Sequence, residues 1–132
     1  MVAIPTRYAP SPVLFMALVS LLLIAAGEPP VRDPAVGKAV FQTNCAICHT
    51  IQPNRSLIGP SLYGVVNRPA GQMAGFHYSE ANKRSGLVWD PATLDRYLAA
   101  PRQVVPGTLM TFPGLKDPLQ RAEVIAFLET LH

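Results

Sequence analysis

The chain has 132 residues, 49% apolar and only 14% charged, with a net charge of +3. An ordinary soluble domain carries about 25% charged residues. One small domain fits this length; a nucleic-acid binder is excluded by the low charge and the absence of a Lys/Arg run, and a disulfide scaffold by two cysteines. Prolines number 14 and glycines 9 without a three-residue period, which rules out collagen.

The first feature in chain order is an apolar run, Val13 to Ala26, broken only by Ser20. Arg7 precedes it, and Ala25, Ala26 and Gly27 supply small residues at its end. This layout predicts a secretory signal over 1–27, because a transmembrane helix takes about 18–20 residues. An uncleaved, tilted anchor bracketed by Pro12 and Gly27 is the competing reading. A buried core helix is disfavoured by the lack of a polar face. The domain proper is then 28–132, with ten basic residues against eight acidic ones. The expected location is the periplasm or another oxidising space outside the cytoplasmic membrane.

Three Asp-Pro pairs, at 33–34, 90–91 and 117–118, each announce a helix. Asp caps the free N–H groups, and a proline in the first turn loses no hydrogen bond. The expected helices are Pro34 to Asn44 with Val36, Val40 and Phe41 on one face, Pro91 to Ala100 with Leu94, Tyr97 and Leu98, and Pro118 to Leu131 with Leu119, Ala122, Ile125 and Leu128. A short helix is expected over Ser79–Ser85, ended by Gly86. The stretches Thr50–His77 and Pro101–Gly114 read as irregular loops, and no segment reads as a strand. The fold class is therefore all-α. A helical chain with half its length in loops buries little apolar area and needs a staple.

Cys45-Ala46-Ile47-Cys48-His49 supplies one. C-x-x-C-H is the attachment signature of a c-type haem: two thiols add to the two vinyl groups, and the adjacent histidine ligates the iron. A zinc knuckle needs four ligands at paired spacing, and only His77 and His132 remain. A thioredoxin-like pair needs a βαβ context. A bare disulfide here would close a tiny loop and stabilise little. For the second axial position, Met110 lies in a loop stiffened by Pro106, Gly107, Pro113 and Gly114, which can hold a thioether at a fixed distance. Met73, in a glycine-rich loop, and His77 are the weaker candidates. Met/His ligation suits electron transfer.

From Gly37 to its end the chain resembles a class I, mitochondrial-type soluble cytochrome c. Gly37-Lys38-x-x-Phe41 resembles the N-terminal helix that crosses the C-terminal one. Gly59-Pro60-x-Leu62-x-Gly64 resembles the loop whose proline carbonyl holds the haem-ligating histidine. Arg68 and Gly71, the segment Gly75-Phe76-His77-Tyr78-Ser79-Glu80-Ala81-Asn82, the single Trp89, and Tyr97, Thr108, Met110 and Phe112 follow in the family's order.

The resemblance implies a small fold of helices and long loops wrapped around one haem c, covalent through Cys45 and Cys48, with His49 and Met110 as axial ligands. It implies that Pro60 orients His49, that Arg68, Tyr78 and Trp89 serve the haem propionates, and that Tyr97, Thr108 and Asn82 tune the Met110 side. Val124, Ile125, Phe127 and Leu128 are expected as core, docked on Val40 and Phe41. The implied function is one-electron transfer between redox protein partners by a monomer, with no enzymatic turnover. A membrane-tethered haem subunit of an oxidase or dehydrogenase is the alternative, followed by a gas sensor or enzyme with an open sixth site.

The sequence departs from the family's ring of lysines at the haem edge: Asn44, Leu109 and Asp117 stand there, while Arg102 and Lys116 remain. The loop after His49 is one residue short. Electrostatic steering of partners should be correspondingly weak.

Overall fold

The structure is a computed structural model and describes residues 32–132. The signal-or-anchor reading of 1–27 lies outside the described residues. Five helices follow in order among the described residues: α1 Pro34–Asn44, α2 Glu80–Arg84, α3 Pro91–Ala99, α4 Pro101–Val104 and α5 Pro118–Glu129. No strand forms among the described residues; one isolated antiparallel bridge joins Pro69 and Val88. None of these helices is long and apolar enough to cross a membrane.

The three Asp-Pro starts act as the local chemistry dictates. Asp33 accepts from the Ala35 N–H, Asp90 from Thr93 and Asp117 from Leu119, each at 2.8 Å. Ser79 caps α2 by accepting from the Asn82 N–H. Gly86, just past that helix, takes φ +66, the left-handed value that a residue without Cβ reaches at no steric cost.

The expected loop over 101–114 is corrected in part. Pro101 does end α3, but it also opens α4, one turn closed by Val105 N–H donating to the Pro101 carbonyl at 2.9 Å. Proline's fixed φ suits a first helical position as well as it blocks an interior one.

α1 crosses α5 at its closest point through Gly37. A Cβ there would strike the Glu123 carbonyl and lie 2.9 Å from Phe127 Cβ, so only glycine allows this approach. One turn on, Phe41 packs against Phe127 with ring centroids 5.7 Å apart. This crossing sets which α1 face is inside: Gly37 and Phe41 are buried, whereas Val36 is exposed, contrary to expectation.

α5 also differs from a simple stripe. Leu119 is exposed, and Glu123 through Leu128 are all buried. The second half of the helix is covered on several sides because it touches α1 and α3 and its Leu128 lines the central cavity. Arg121 fixes it further, donating from Nε to Asp95 at 2.7 Å and from Nη1 to the carbonyls of Leu115 and Lys116.

Candidate functional site

The loops and helices enclose a cavity of about 500 Å³. All eleven residues singled out from the sequence line it: Cys45, Cys48, His49, Pro60, Arg68, Tyr78, Asn82, Trp89, Tyr97, Thr108 and Met110. His77, the weaker ligand candidate, also lines it; Met73 does not, and instead its Sδ lies 3.4 Å from Arg68 Nη1.

The first wall is built from α1 and the loop that follows. α1 ends with the Cys45 N–H on the Phe41 carbonyl, and a tight turn then brings the Cys48 and His49 N–H groups back onto the Cys45 carbonyl. Both cysteine side chains are half-buried. Burial, with the Cys48 thiol beside it, pushes the Cys45 thiol up to about 11. A thiolate is therefore disfavoured here, whereas a neutral thioether suits the site. His49 Nδ1 lies 2.7 Å from the Pro60 carbonyl. A carbonyl can only accept, so Nδ1 carries the proton and Nε2 keeps its lone pair. Burial also holds the imidazole below its ordinary value, against the pull of that carbonyl, which favours the neutral, ligating form. Gly59 completes the clamp: a Cβ there would collide with the imidazole, 2.7 Å from Nδ1.

The polar end of the cavity centres on Arg68. The ladder between 67–70 and 87–89, with Trp89 N–H on the Arg68 carbonyl at 3.0 Å, ties Arg68 and Trp89 together. Arg68 donates to the carbonyls of Tyr63 and Ser61 at 3.1 and 3.0 Å. It pairs with no carboxylate among the described residues, and Nε and one Nη2 hydrogen stay uncommitted. Burial works against its charge, and the nearby Tyr78 works for it. A half-buried guanidinium without a protein carboxylate suits an anionic group brought by a cofactor. Trp89 Nε1 likewise has no hydrogen-bond partner among the described residues; its ring packs on Tyr97 at 4.7 Å.

The remaining wall gathers around Thr108. Its hydroxyl lies 3.2 Å from the Tyr97 hydroxyl, 3.4 Å from Asn82 Nδ2 and 3.3 Å from the Met110 N–H. The Tyr97 hydroxyl donates to Met110 Sδ at 3.9 Å. Burial raises the Tyr97 phenol, so it remains a donor. The loop is held from outside by Leu115 N–H on the Leu98 carbonyl and by Lys116 Nζ on the Ala99 carbonyl, each at 2.8 Å.

The donor set fits a haem attached through the C-x-x-C-H motif: two thiols and a tautomer-fixed histidine on one side, an uncommitted cation for carboxylates, and a thioether in the same apolar cavity. No group of three or more His, Cys, Asp or Glu among the described residues could hold a bare metal ion, so the zinc alternative finds no site there. Sequence reasoning did not single out Gly59 as a steric element or Leu128 as cavity wall. Both depend on approaches between distant segments, and neither has a local signal.

Comparison with known proteins agrees. The Cytochrome c family model matches residues 34–132. Cytochrome c2 of Rhodopila globiformis is 51% identical over 105 residues, which is 80% of this chain and 99% of that one. Cytochrome c of Ginkgo biloba is 43% identical over 103 residues, 77% of this chain and 91% of that protein. Cytochrome cH from Methylobacterium extorquens superposes with a TM-score of 0.70 at 43% identity, covering 74% of this chain and 98% of its own. The chain belongs to the cytochrome c family, as an electron carrier with one haem c bound covalently through Cys45 and Cys48.

Proposed function

We propose that the protein is a periplasmic, monomeric one-electron shuttle whose iron is ligated by His49 and Met110 and which turns over no small substrate. The attached haem supplies the ferric/ferrous couple. The observation that carries the reading is the convergence of two prepared ligands on one cavity. His49 keeps Nε2 free because Nδ1 is committed to Pro60, and the Met110 thioether is steered by the Tyr97 hydroxyl.

The other residues divide the remaining work. Arg68, Tyr78 and Trp89 offer donors to the propionates, whose charge an apolar cavity could not otherwise accept. Thr108 and Asn82 hold the Tyr97 hydroxyl and the Met110 backbone in place. A hydroxyl donating to the thioether withdraws electron density from sulfur and so favours the reduced state. Export follows from the apolar run at 13–26, and a mature mass lacking the first ~27 residues tests it. A full-length mass in the membrane fraction would favour the tethered subunit instead.

The deciding experiment is a visible spectrum of oxidised and reduced protein, with carbon monoxide added. The unaltered ferrous protein should not bind carbon monoxide rapidly; rapid binding would mean an open sixth site and would overturn the assignment. Met110→Ala should bind it readily. Its potential should fall by a sizeable part of the ~0.8 V range that axial ligation spans, and an unchanged potential would remove Met110 as ligand.

A further inference from the structure

Met73 stands outside the cavity lining, yet it meets two residues of the cavity's polar end. Its Sδ accepts from Arg68 Nη1 at 3.4 Å, and its backbone meets the Tyr78 hydroxyl in a hydrogen bond. The turn that carries it is closed by the Phe76 N–H on the Met73 carbonyl at 3.4 Å. That turn is seated on α2: a Cβ at Gly71 would lie 2.9 Å from Lys83 Cα. Phe76 then meets the Tyr78 ring edge-on, with centroids 4.8 Å apart. One short segment therefore delivers both Tyr78 and an acceptor for Arg68.

Arg68 Nη1 has two hydrogens and two acceptors, the Tyr63 carbonyl and the Met73 thioether. Nη2 gives one hydrogen to the Ser61 carbonyl. The hydrogens left for an anion are on Nε and Nη2, neighbouring nitrogens that can fork a carboxylate. The kind of acceptor at position 73 matters. A carboxylate there would orient the guanidinium but also neutralise it. A thioether is a weak, neutral acceptor on an unbranched, adaptable chain. It directs Arg68 and leaves the charge to act in the cavity. Burial works against that charge, so a guanidinium released from one acceptor gains by turning toward water.

Resting on the electron-carrier reading and on Arg68 serving the propionates, we propose that Met73 is a positioning residue for the reduction potential, its thioether aiming Arg68 at the propionates. With Arg68 held, the propionate charge is offset, which favours the ferrous state with its one positive charge fewer. With Arg68 turned outward, uncompensated carboxylates stabilise ferric iron and the potential falls.

The test uses the haem-loaded protein and two readouts. One is a redox titration against mediators. The other is phenylglyoxal labelling of arginines, mapped by mass spectrometry, with the exposed Arg84 as internal reference. Met73→Leu keeps the bulk and removes the acceptor. It should shift the ferric/ferrous ratio at a fixed applied potential about threefold toward ferric, the size of one weak hydrogen bond, and label Arg68 about threefold faster relative to Arg84. Met73→Gln supplies a neutral acceptor again and should return both readouts close to those of the unaltered protein. If the leucine variant changes neither readout, or the glutamine variant changes both as far as leucine does, Met73 only fills space and the proposal is overturned. Faster labelling of Arg68 with an unshifted potential overturns the link to the haem. Arg68→Gln separates the two levels of the argument. An unshifted potential in that variant overturns the propionate reading, and the proposal with it; a lowered potential there beside a silent Met73→Leu overturns the proposal alone.

Discussion

Two regions hold the candidate iron ligands by different means. Around His49 the control is backbone and shape: a carbonyl at 2.7 Å from Nδ1 and a glycine that leaves room for the ring. Around Met110 the control is a side-chain network that reaches across the fold, with Thr108 joining Asn82 of α2, Tyr97 of α3 and the Met110 backbone. The first arrangement tolerates little variation in shape but is nearly independent of side-chain chemistry. The second can be adjusted one hydroxyl at a time. With the proposed His49 and Met110 ligation, a carrier would gain from this asymmetry: the anchored side would fix the cofactor and the networked side would set its electronics.

The comparison breaks most completely when attachment is removed. Cys45→Ser with Cys48→Ser should abolish the cooperative thermal transition and much of the helical circular dichroism, because the chain is a wrapping without its interior. A well-defined melt in that variant would show that the protein core suffices. Gly59→Ala is the sharper probe of the His49 side. It forces a methyl into the imidazole and should cost about 1–3 kcal/mol in denaturant unfolding. Unaltered stability would mean that the Pro60 loop moves freely.

On the Met110 side, Thr108→Val keeps the shape and removes the shared hydroxyl. It should cost about 1–2 kcal/mol, since three partners lose a bond while some regain water, and should shift the potential, which voltammetry reads. A stable protein with an unshifted potential would dissolve the distinction drawn here. The smallest effect serves as a control: Asp33→Ala removes the α1 cap, distant from both ligands, and should cost about 1 kcal/mol with no change in potential. A shifted potential would show that cap loss propagates to the cavity.

The sequence discloses these two regions unequally, for a physical reason. C-x-x-C-H is contiguous, and its chemistry fixes its spacing, so Cys45, Cys48 and His49 can be read without any fold. The Asp-Pro starts are equally local, and α1, α3 and α5 begin where the capping chemistry places them. Arg68, Trp89 and Thr108 carry no local signal and became candidates only through resemblance to a family. The errors have the same origin. Val36 and Leu119 fit a helical period, yet the Gly37 crossing and the burial of α5 from several sides decide which positions are covered. A proline that stops one helix also starts another at Pro101, a choice made by the turn that follows rather than by the residue.

The meeting of α1 and α5 has a consequence for the order of events in the protein's biogenesis. α5 contributes Leu128 to the cavity lining, and the Gly64 N–H donates to the Leu131 carbonyl at 2.7 Å. Leu128 and Leu131 stand about 80 residues beyond Cys45 and Cys48 in the chain. Joining segments so far apart carries the entropy of closing a long loop. While that loop is open, Cys45 and Cys48 are reachable by a maturation enzyme; once it closes, they lie half-buried. Haem attachment therefore belongs before α5 docks on α1, while the two cysteines are still uncovered.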